Sequence, residues 1–246
     1  MAKLHAANAK VYLRTVTIPR LLAGAGEFPY FSIGAVRADL RRGRVMVAPA
    51  TLGRYLHELM RGGVLFDAGR GWYSTLPEPF VLDRAPVRTL VEKLEKRFPY
   101  LDYSCWSTAQ IAAYSHLQLA RFVSVIYTER DAMESVANGL REEGFAVYLH
   151  PSQREVAKGF RIEGETVVIR PTVTQAPVDG KYAAIEKIIV DLYFEVKALG
   201  LMDIQEHHRV TANIVRDRRI SMGALARYAE ARRKLGLEEL FGRPIN

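Results

Sequence analysis

The sequence predicts an α/β (α+β) chain: an N-terminal winged helix-turn-helix, then a small mixed α/β domain with a helical C-terminus. Three observations carry that prediction. Residues 33–74 run helix, basic turn, helix, hairpin, the order of a recognition helix followed by a wing. Residues 75–86 hold Pro77, Pro79 and Pro86, which suits an extended connector rather than the interior of an element. Beyond that connector, helical and strand patterns alternate and then close on three helices. The predicted domains are therefore 1–86 and 87–246.

In the first domain, Ala9, Leu13 and Val16 fall at helical spacing and predict a helix from about Ala6 to Val16. Ile18-Pro19 marks a break or a new turn, and Gly24-Ala25-Gly26 with Phe28-Pro29 marks a loop. The helix Ser32–Leu40 has Ile33, Val36 and Leu40 on one face and ends in the basic turn Arg41-Arg42-Gly43-Arg44. A second helix follows Pro49, from Thr51 to Arg61. Its Leu52, Leu56, Leu59 and Met60 share a face, and Arg54, Tyr55, His57, Glu58 and Arg61 lie on the others. Gly62-Gly63 stops it. Two strand-like pieces, Val64–Asp67 and Trp72–Ser74, then flank the tight turn Ala68-Gly69-Arg70-Gly71.

In the second domain, Val87, Leu90, Val91, Leu94 and Phe98 form a helical stripe. Leu101–Trp106 reads as a strand, and Ser107-Thr108-Ala109-Gln110 is a capping box that opens a short helix. Phe122–Tyr127 is a strand, and Asp131–Glu143 is a helix ended by Gly144. Phe145–Leu149 is a further strand, stopped by Pro151. Arg161–Glu163 and Thr166–Arg170 read as a hairpin around Gly164-Glu165. Helices Tyr182–Leu199, Ile204–Asp217 and Met222–Leu235 complete the chain.

Composition narrows the function classes. With 49% hydrophobic and 25% charged residues, the 246-residue chain has the material for a packed core and no signature of disorder. One cysteine, Cys105, excludes an internal disulfide framework and any cysteine-based zinc cluster. No run of about 18 apolar residues predicts a membrane span. The opening Met-Ala-Lys-Leu-His-Ala-Ala lacks the apolar core of a signal peptide, so a cytoplasmic protein is expected. The net charge of +8 is uneven: residues 1–87 hold 12 Lys/Arg against 6 Asp/Glu, and the remainder 23 against 21. The basic excess therefore coincides with the helix-turn-helix, as expected for a module that binds phosphates.

These patterns predict a protein that binds double-stranded DNA. Thr51, Arg54 and Tyr55 lie near the N-terminus of the second helix, where side chains reach base edges in the major groove. Arg54 has the donors to grip a guanine or to neutralise a phosphate. Arg41, Arg42 and Arg44 are candidate phosphate clamps, and Arg70 at the wing tip is placed for a minor groove. The competing reading of the same motif is a winged helix used for protein contact. A second alternative is a nuclease-like α/β enzyme targeted to DNA by the winged helix. For that, Glu195-Val-Lys197 with Asp191 offers a minimal carboxylate–lysine set for Mg²⁺. These residues fall on a helix, with Asp191 and Glu195 on one face and Lys197 elsewhere, so a solvated helical face is the expectation.

Other reactive types lack partners. Adjacent His207 and His208 cannot share one helical face, and His116 and His150 have no nucleophile beside them. Cys105 sits in a buried strand beside Trp106 and reads as packing. No Walker loop or dinucleotide fingerprint is present, so neither a catalytic residue nor a cofactor is expected. Arg216, Arg218, Arg219, Arg227, Arg232, Arg233 and Lys234 crowd the last helices. They are compatible with a solvated surface, an extended phosphate footprint or an acidic partner.

Three stretches together carry a family resemblance. They are Thr51-Leu-Gly-Arg-Tyr-Leu-His-Glu-Leu-Met-Arg-Gly-Gly-Val-Leu with Gly71-Trp-Tyr-Ser; Tyr103-Ser-Cys-Trp-Ser-Thr with His116 and the strand–helix–strand from Phe122 to Pro151; and Glu186-Lys-Ile-Ile-Val-Asp-Leu-Tyr with Tyr228-Ala-Glu-Ala-Arg-Arg. In this order the chain resembles the AbiEi-type antitoxins of type IV toxin–antitoxin systems and related bacterial winged-helix proteins. The resemblance implies an autorepressor that binds repeats in its own promoter through the N-terminal domain. It also implies a C-terminal domain that counteracts a nucleotidyltransferase toxin and assists DNA binding. No catalytic residue transfers with it.

Overall fold

The computed structural model describes residues 6–24, 28–116 and 121–245. Met1–His5, and Ala25 and Gly26 of the expected loop, lie outside the described residues. The chain is mixed α and β and divides into two compact units. The first takes residues up to Phe80 together with Ile214–Ala226 and Leu237–Asn246. The second takes Val81–Asn213 and Arg227–Gly236. A linear boundary at 86 thus becomes one at Phe80, and two C-terminal pieces return to the first unit.

The first unit is a winged helix-turn-helix. It begins with α1 (Ala6–Tyr12), a π-helical turn (Leu13–Thr17) and α2 (Ile18–Gly24). The break expected at Ile18-Pro19 does not occur. Pro19 has no amide to donate, and the widened π turn, in which the Ile18 amide reaches the Leu13 carbonyl, lets the helix continue through it. Then come β1 (Tyr30–Ser32), α3 (Ile33–Arg42), α4 (Pro49–Arg61), β2 (Phe66–Asp67) and β3 (Trp72–Ser74). The three strands pair antiparallel in the order β1-β3-β2, with Tyr30 opposite Ser74 and Phe66 opposite Ser74 on its other side. The sequence pattern does not announce β1, because three residues beside Pro29 are too short to show a period. Leu13, Phe31, Val36, Leu40, Leu56 and Leu65 fill the core beneath α3 and α4.

The C-terminal pieces of the first unit buttress the wing. The Tyr30 hydroxyl donates to the Arg218 carbonyl (3.0 Å) and accepts from the Ile220 amide (2.9 Å). The Arg219 guanidinium donates to the carbonyls of Leu76 and Pro77, and its plane covers the Phe66 ring at 5.0 Å. The wing turn lies directly on Gly223, whose amide donates to the Ala68 carbonyl at 3.1 Å. A Cβ added to Gly223 would stand 2.7 Å from the Arg70 nitrogen and 2.9 Å from the Gly69 carbonyl carbon, both backbone atoms that cannot step aside. Gly223→Ala is therefore expected to destabilise the first unit by about 1–3 kcal/mol through overpacking, read as a fall in its thermal midpoint. An unchanged midpoint would mean that the wing does not rest there.

The second unit holds α5 (Ala85–Arg97), β4 (Tyr103–Ser107), a 3-10 turn (Thr108–Tyr114), β5 (Val123–Thr128), α6 (Met133–Glu142), β6 (Ala146–Leu149), α7 (Gln153–Gly159), β7 (Thr166–Pro171), β8 (Val178–Asp179), β9 (Tyr182–Ala183) and α8 (Ile185–Leu199). The helices α9 (Ile204–Asp217) and α10 (Met222–Ala231) run across the division between units, and α11 (Leu237–Phe241) belongs to the first. The sheet order is β6-β7-β5-β4-β9-β8, with β5, β7 and β6 mutually parallel and β4 antiparallel to β5. The predicted capping box is present: the Ser107 hydroxyl accepts from the Ala109 amide and the Gln110 carbonyl oxygen from the Ser107 amide.

Two expectations fail here for physical reasons. Arg161–Glu163 is not a strand, and β7 makes no hairpin with it. Instead β7 inserts between β5 and β6, with Val167, Val168 and Ile169 all buried. An unbroken buried run of this kind marks a central parallel strand, covered on both faces. The helix α7 is a further addition, although Ser152 and Glu155 form a second capping box at its start. Tyr182 and Ala183 open no helix; they pair in β9, and α8 starts at Ile185.

Candidate nucleic-acid interface

The turn between α3 and α4 is built to hold an arginine in an unusual conformation. Ser32 caps α3 by accepting from the Ala35 amide at 3.0 Å. At the other end, the Val45 amide reaches the Leu40 carbonyl (2.9 Å) and the Arg44 amide reaches the Arg41 carbonyl (3.0 Å). This is a Schellman closure, with Leu40 and Val45 both buried as its apolar pair. The left-handed position in that motif usually belongs to glycine, but here it is Arg44, at φ 56°. Gly43 has an ordinary φ; it is small because Tyr12 packs over it, and an added Cβ would meet the tyrosine hydroxyl. Arg44 thus carries strain on the order of 1 kcal/mol, and this places an exposed guanidinium at the mouth of the turn.

Arg41 and Arg42 occupy the last turn of α3. The Arg41 Nε donates to the Arg37 carbonyl at 3.3 Å, and Arg42, 75% exposed, stands 3.8 Å from Asp39. Asp39 is buried and also accepts from Arg20 at 3.1 Å, so it anchors two cations from beneath the surface. Arg37, which sequence reasoning passes over, is exposed on the same helix.

The helix α4 divides cleanly. Leu52, Tyr55, Leu56 and Leu59 are buried, whereas Ala50, Gly53, Arg54, His57 and Arg61 form one exposed stripe. Tyr55, expected among the residues that face DNA, is instead 7% exposed and belongs to the core. Its place in the sequence, three residues after Leu52 and four before Leu59, is that of the apolar face. Arg54 sits outside it, with its guanidinium 5.5 Å from the Tyr55 ring centre and 4.0 Å from Glu58. Glu58 is itself held by Lys10, which keeps its carboxyl below the usual range. Thr51 is half-buried at the third position of α4. The Ala48 cap provides no side-chain acceptor, so nothing from that residue covers the helix start.

Arg70 is exposed at the wing tip, in a turn closed by the Trp72 amide on the Gly69 carbonyl (2.9 Å) and by the Ala68 amide on the Trp72 carbonyl (3.1 Å). The Ile33 amide reaches the Gly71 carbonyl at 2.8 Å, which ties the wing to the start of α3. The C-terminal arginines divide between the units. Exposed Arg216 and Arg218 join the winged helix, while Arg227, Arg232 and Arg233 belong to the second unit. With these returns, the first unit holds 15 Lys/Arg against 8 Asp/Glu, a net +7, and the second holds 20 against 19. The charge asymmetry is thus sharper in space than along the chain.

The second unit holds the residues considered for nuclease chemistry, and they are not a solvated face. Asp191 and Glu195 are fully buried. Glu195 accepts from Arg170 Nε (3.0 Å) and Arg170 Nη2 (2.7 Å), and Asp191 accepts from Lys187, Arg232 and the Tyr228 hydroxyl. Their oxygens are committed to cations, and among the described residues no group of three or more metal-ligating acid, histidine or cysteine side chains occurs. Lys197 contacts the Tyr193 hydroxyl. Burial pushes the Cys105 thiol up to about 12, so it is a packing residue and not a thiolate. Burial also lowers His207 to about 4, a neutral ring bonded to the Ile189 carbonyl.

Among the described residues, no helix is long and apolar enough to cross a membrane. No curated protein matches the chain. One family does, over residues 51–241, from α4 to α11. The chain accordingly belongs to the family of unknown function DUF6577.

Proposed function

We propose that this protein is a DNA-binding transcriptional regulator of the cytoplasm whose first unit lays α4 in the major groove of duplex DNA. The exposed stripe of α4 carries the reading. Ala50 and Gly53 are small, and Arg54, His57 and Arg61 are basic or hydrogen-bonding. Nothing lies within 4 Å of where a Gly53 Cβ would stand, so packing inside the protein does not demand a glycine there. An exposed mid-helix glycine costs about 1 kcal/mol relative to alanine. Close approach of the helix backbone to a groove wall accounts for it.

In this arrangement Arg54 reads a base or grips a phosphate, Thr51 lies beside it, and Arg41, Arg42 and Arg44 hold phosphates on one side. Arg70 reaches from the wing on the other. The net +7 of the unit supports a polyanionic partner over a protein one. The resemblance to AbiEi-type antitoxins extends the proposal to an autorepressor of its own promoter, linked in function to a nucleotidyltransferase toxin.

A gel shift on DNA from upstream of the protein's own reading frame tests the proposal. The wild-type protein is expected to shift this DNA at lower concentration than a scrambled duplex. Arg54→Ala is expected to weaken binding to the upstream DNA by about tenfold, the value of one good base or phosphate contact. Equal and weak binding of both duplexes by both proteins would point instead to a winged helix that holds a protein.

A further inference from the structure

We propose that the second unit binds a small phosphorylated molecule in the cleft at the carboxyl ends of β5, β7 and β6. In open sheets, ligands gather outside the carboxyl ends of parallel strands, where successive connections leave the sheet. Here β5 ends at Tyr127-Thr128, β7 at Arg170-Pro171, and β6 runs out into His150-Pro151. Tyr127, Arg170, Pro171, His150 and Pro151 line a cleft of about 640 Å³ together with residues of α8 and the end of α10. That volume falls among small-ligand sites, roughly 300–1,000 Å³, and far exceeds what a single ion fills.

The chemistry of the lining is cationic. Arg170, Lys197, Arg232 and Arg233 face one carboxylate, Glu195. Two of these guanidiniums are fixed before any ligand arrives. Arg170 is clamped by both oxygens of Glu195 and donates to the Pro151 carbonyl at 3.0 Å, and Arg232 is held by Asp191 and by the Tyr127 hydroxyl at 3.1 Å. The Phe194 ring lies 4.7 Å from the Arg232 guanidinium and 5.8 Å from that of Arg233. Arg170 commits its Nε and Nη2 to Glu195 and its Nη1 to Pro151, so it fixes positive charge at the floor of the cleft, while the exposed Arg233 and Lys197 at the mouth are the cations that reach phosphate oxygens.

Two further observations agree. The buried cluster behind the cleft pairs Arg170 with Glu195 and Arg232 with Asp191, and Arg233 and Lys197 add two positive charges at the mouth. A ligand with two or more negative charges balances that excess. The lips of the cleft are also strained: His150 and Arg233 have φ 43° and 67°, in the region usually left to glycine. Backbone strain held by non-glycine residues gathers at ligand sites.

Calorimetric titration of the full-length protein with inorganic pyrophosphate at low salt tests the site. One saturable site per chain is expected. An Arg233→Ala, Lys197→Ala double variant, altered only at exposed side chains, is expected to bind at least tenfold more weakly while melting at the wild-type temperature. Arg54→Ala, in the other unit, is expected to bind pyrophosphate as the wild type does. Absence of saturable binding, equal binding by the double variant, or loss of binding in Arg54→Ala would each overturn the proposal.

Discussion

Glu195→Ala is expected to destabilise the second unit by about 3–5 kcal/mol, the cost of leaving a buried charge without its partner. The Glu195 carboxylate takes both the Nε and the Nη2 of Arg170, accepts from the Tyr127 hydroxyl at 3.3 Å, and stands 3.9 Å from Arg232. The Arg170 side chain is 8% exposed, so water cannot replace the missing acceptor. The ion pair as a whole need not favour folding over an apolar equivalent, but its half-removal does oppose it. Denaturant unfolding of the second unit measures the effect. Arg154→Ala, at an exposed position of α7, is the matched control and is expected to change stability by less than about 0.5 kcal/mol. A Glu195→Ala loss as small as the control's would mean that Arg170 finds another partner.

The second large effect concerns the turn between α3 and α4. Replacing Arg41, Arg42 and Arg44 together by alanine is expected to weaken binding to duplex DNA on the order of a hundredfold, at about 1 kcal/mol for each phosphate no longer held. All three side chains are exposed, and Arg44 occupies a left-handed position that disfavours any residue with a Cβ. The triple variant is therefore expected to fold as the wild type does. An affinity within threefold of wild type would remove this turn from the interface.

Much of the fold is legible in the sequence, and the gaps have physical causes. The two amphipathic helices of the winged helix follow from the spacing of Ile33, Val36 and Leu40 and of Leu52, Leu56 and Leu59. The capping boxes at Ser107 and Ser152 are equally explicit, but the short α7 behind the second has too few apolar residues to mark a buried face. The strands β1, β8 and β9 are two or three residues long, below the length at which alternation shows. The position of β7 between β5 and β6 depends on pairing between distant segments, which local periodicity does not encode.

The candidate interface is legible where a basic residue type coincides with an exposed position, as at Arg41, Arg42, Arg44, Arg54 and Arg70. Tyr55 misleads, because it is an amphipathic residue whose spacing belongs to the core. Arg216 and Arg218 lie about 150 residues from the wing along the chain, and only folding brings them into the first unit. The buried ions of α8 are hidden for a related reason. Lys187, Asp191 and Glu195 recur every four residues, which on sequence alone marks a solvated charged face. What reverses that reading is the arrival of Arg170 from β7 and Arg232 from the end of α10.

We propose that the first unit binds duplex DNA through its phosphates. This is tested most directly by measuring the affinity of the full-length protein for a duplex across a series of salt concentrations. Neutralised phosphates release counterions, so the logarithm of the binding constant falls linearly with that of the salt concentration, by about 0.9 for each contact. A linear dependence with a slope of at least about −4 is expected, from Arg41, Arg42, Arg44 and Arg70 together, reduced by about 3 in the triple variant of the α3–α4 turn. A slope near zero, or one that the triple variant leaves unchanged, would contradict it.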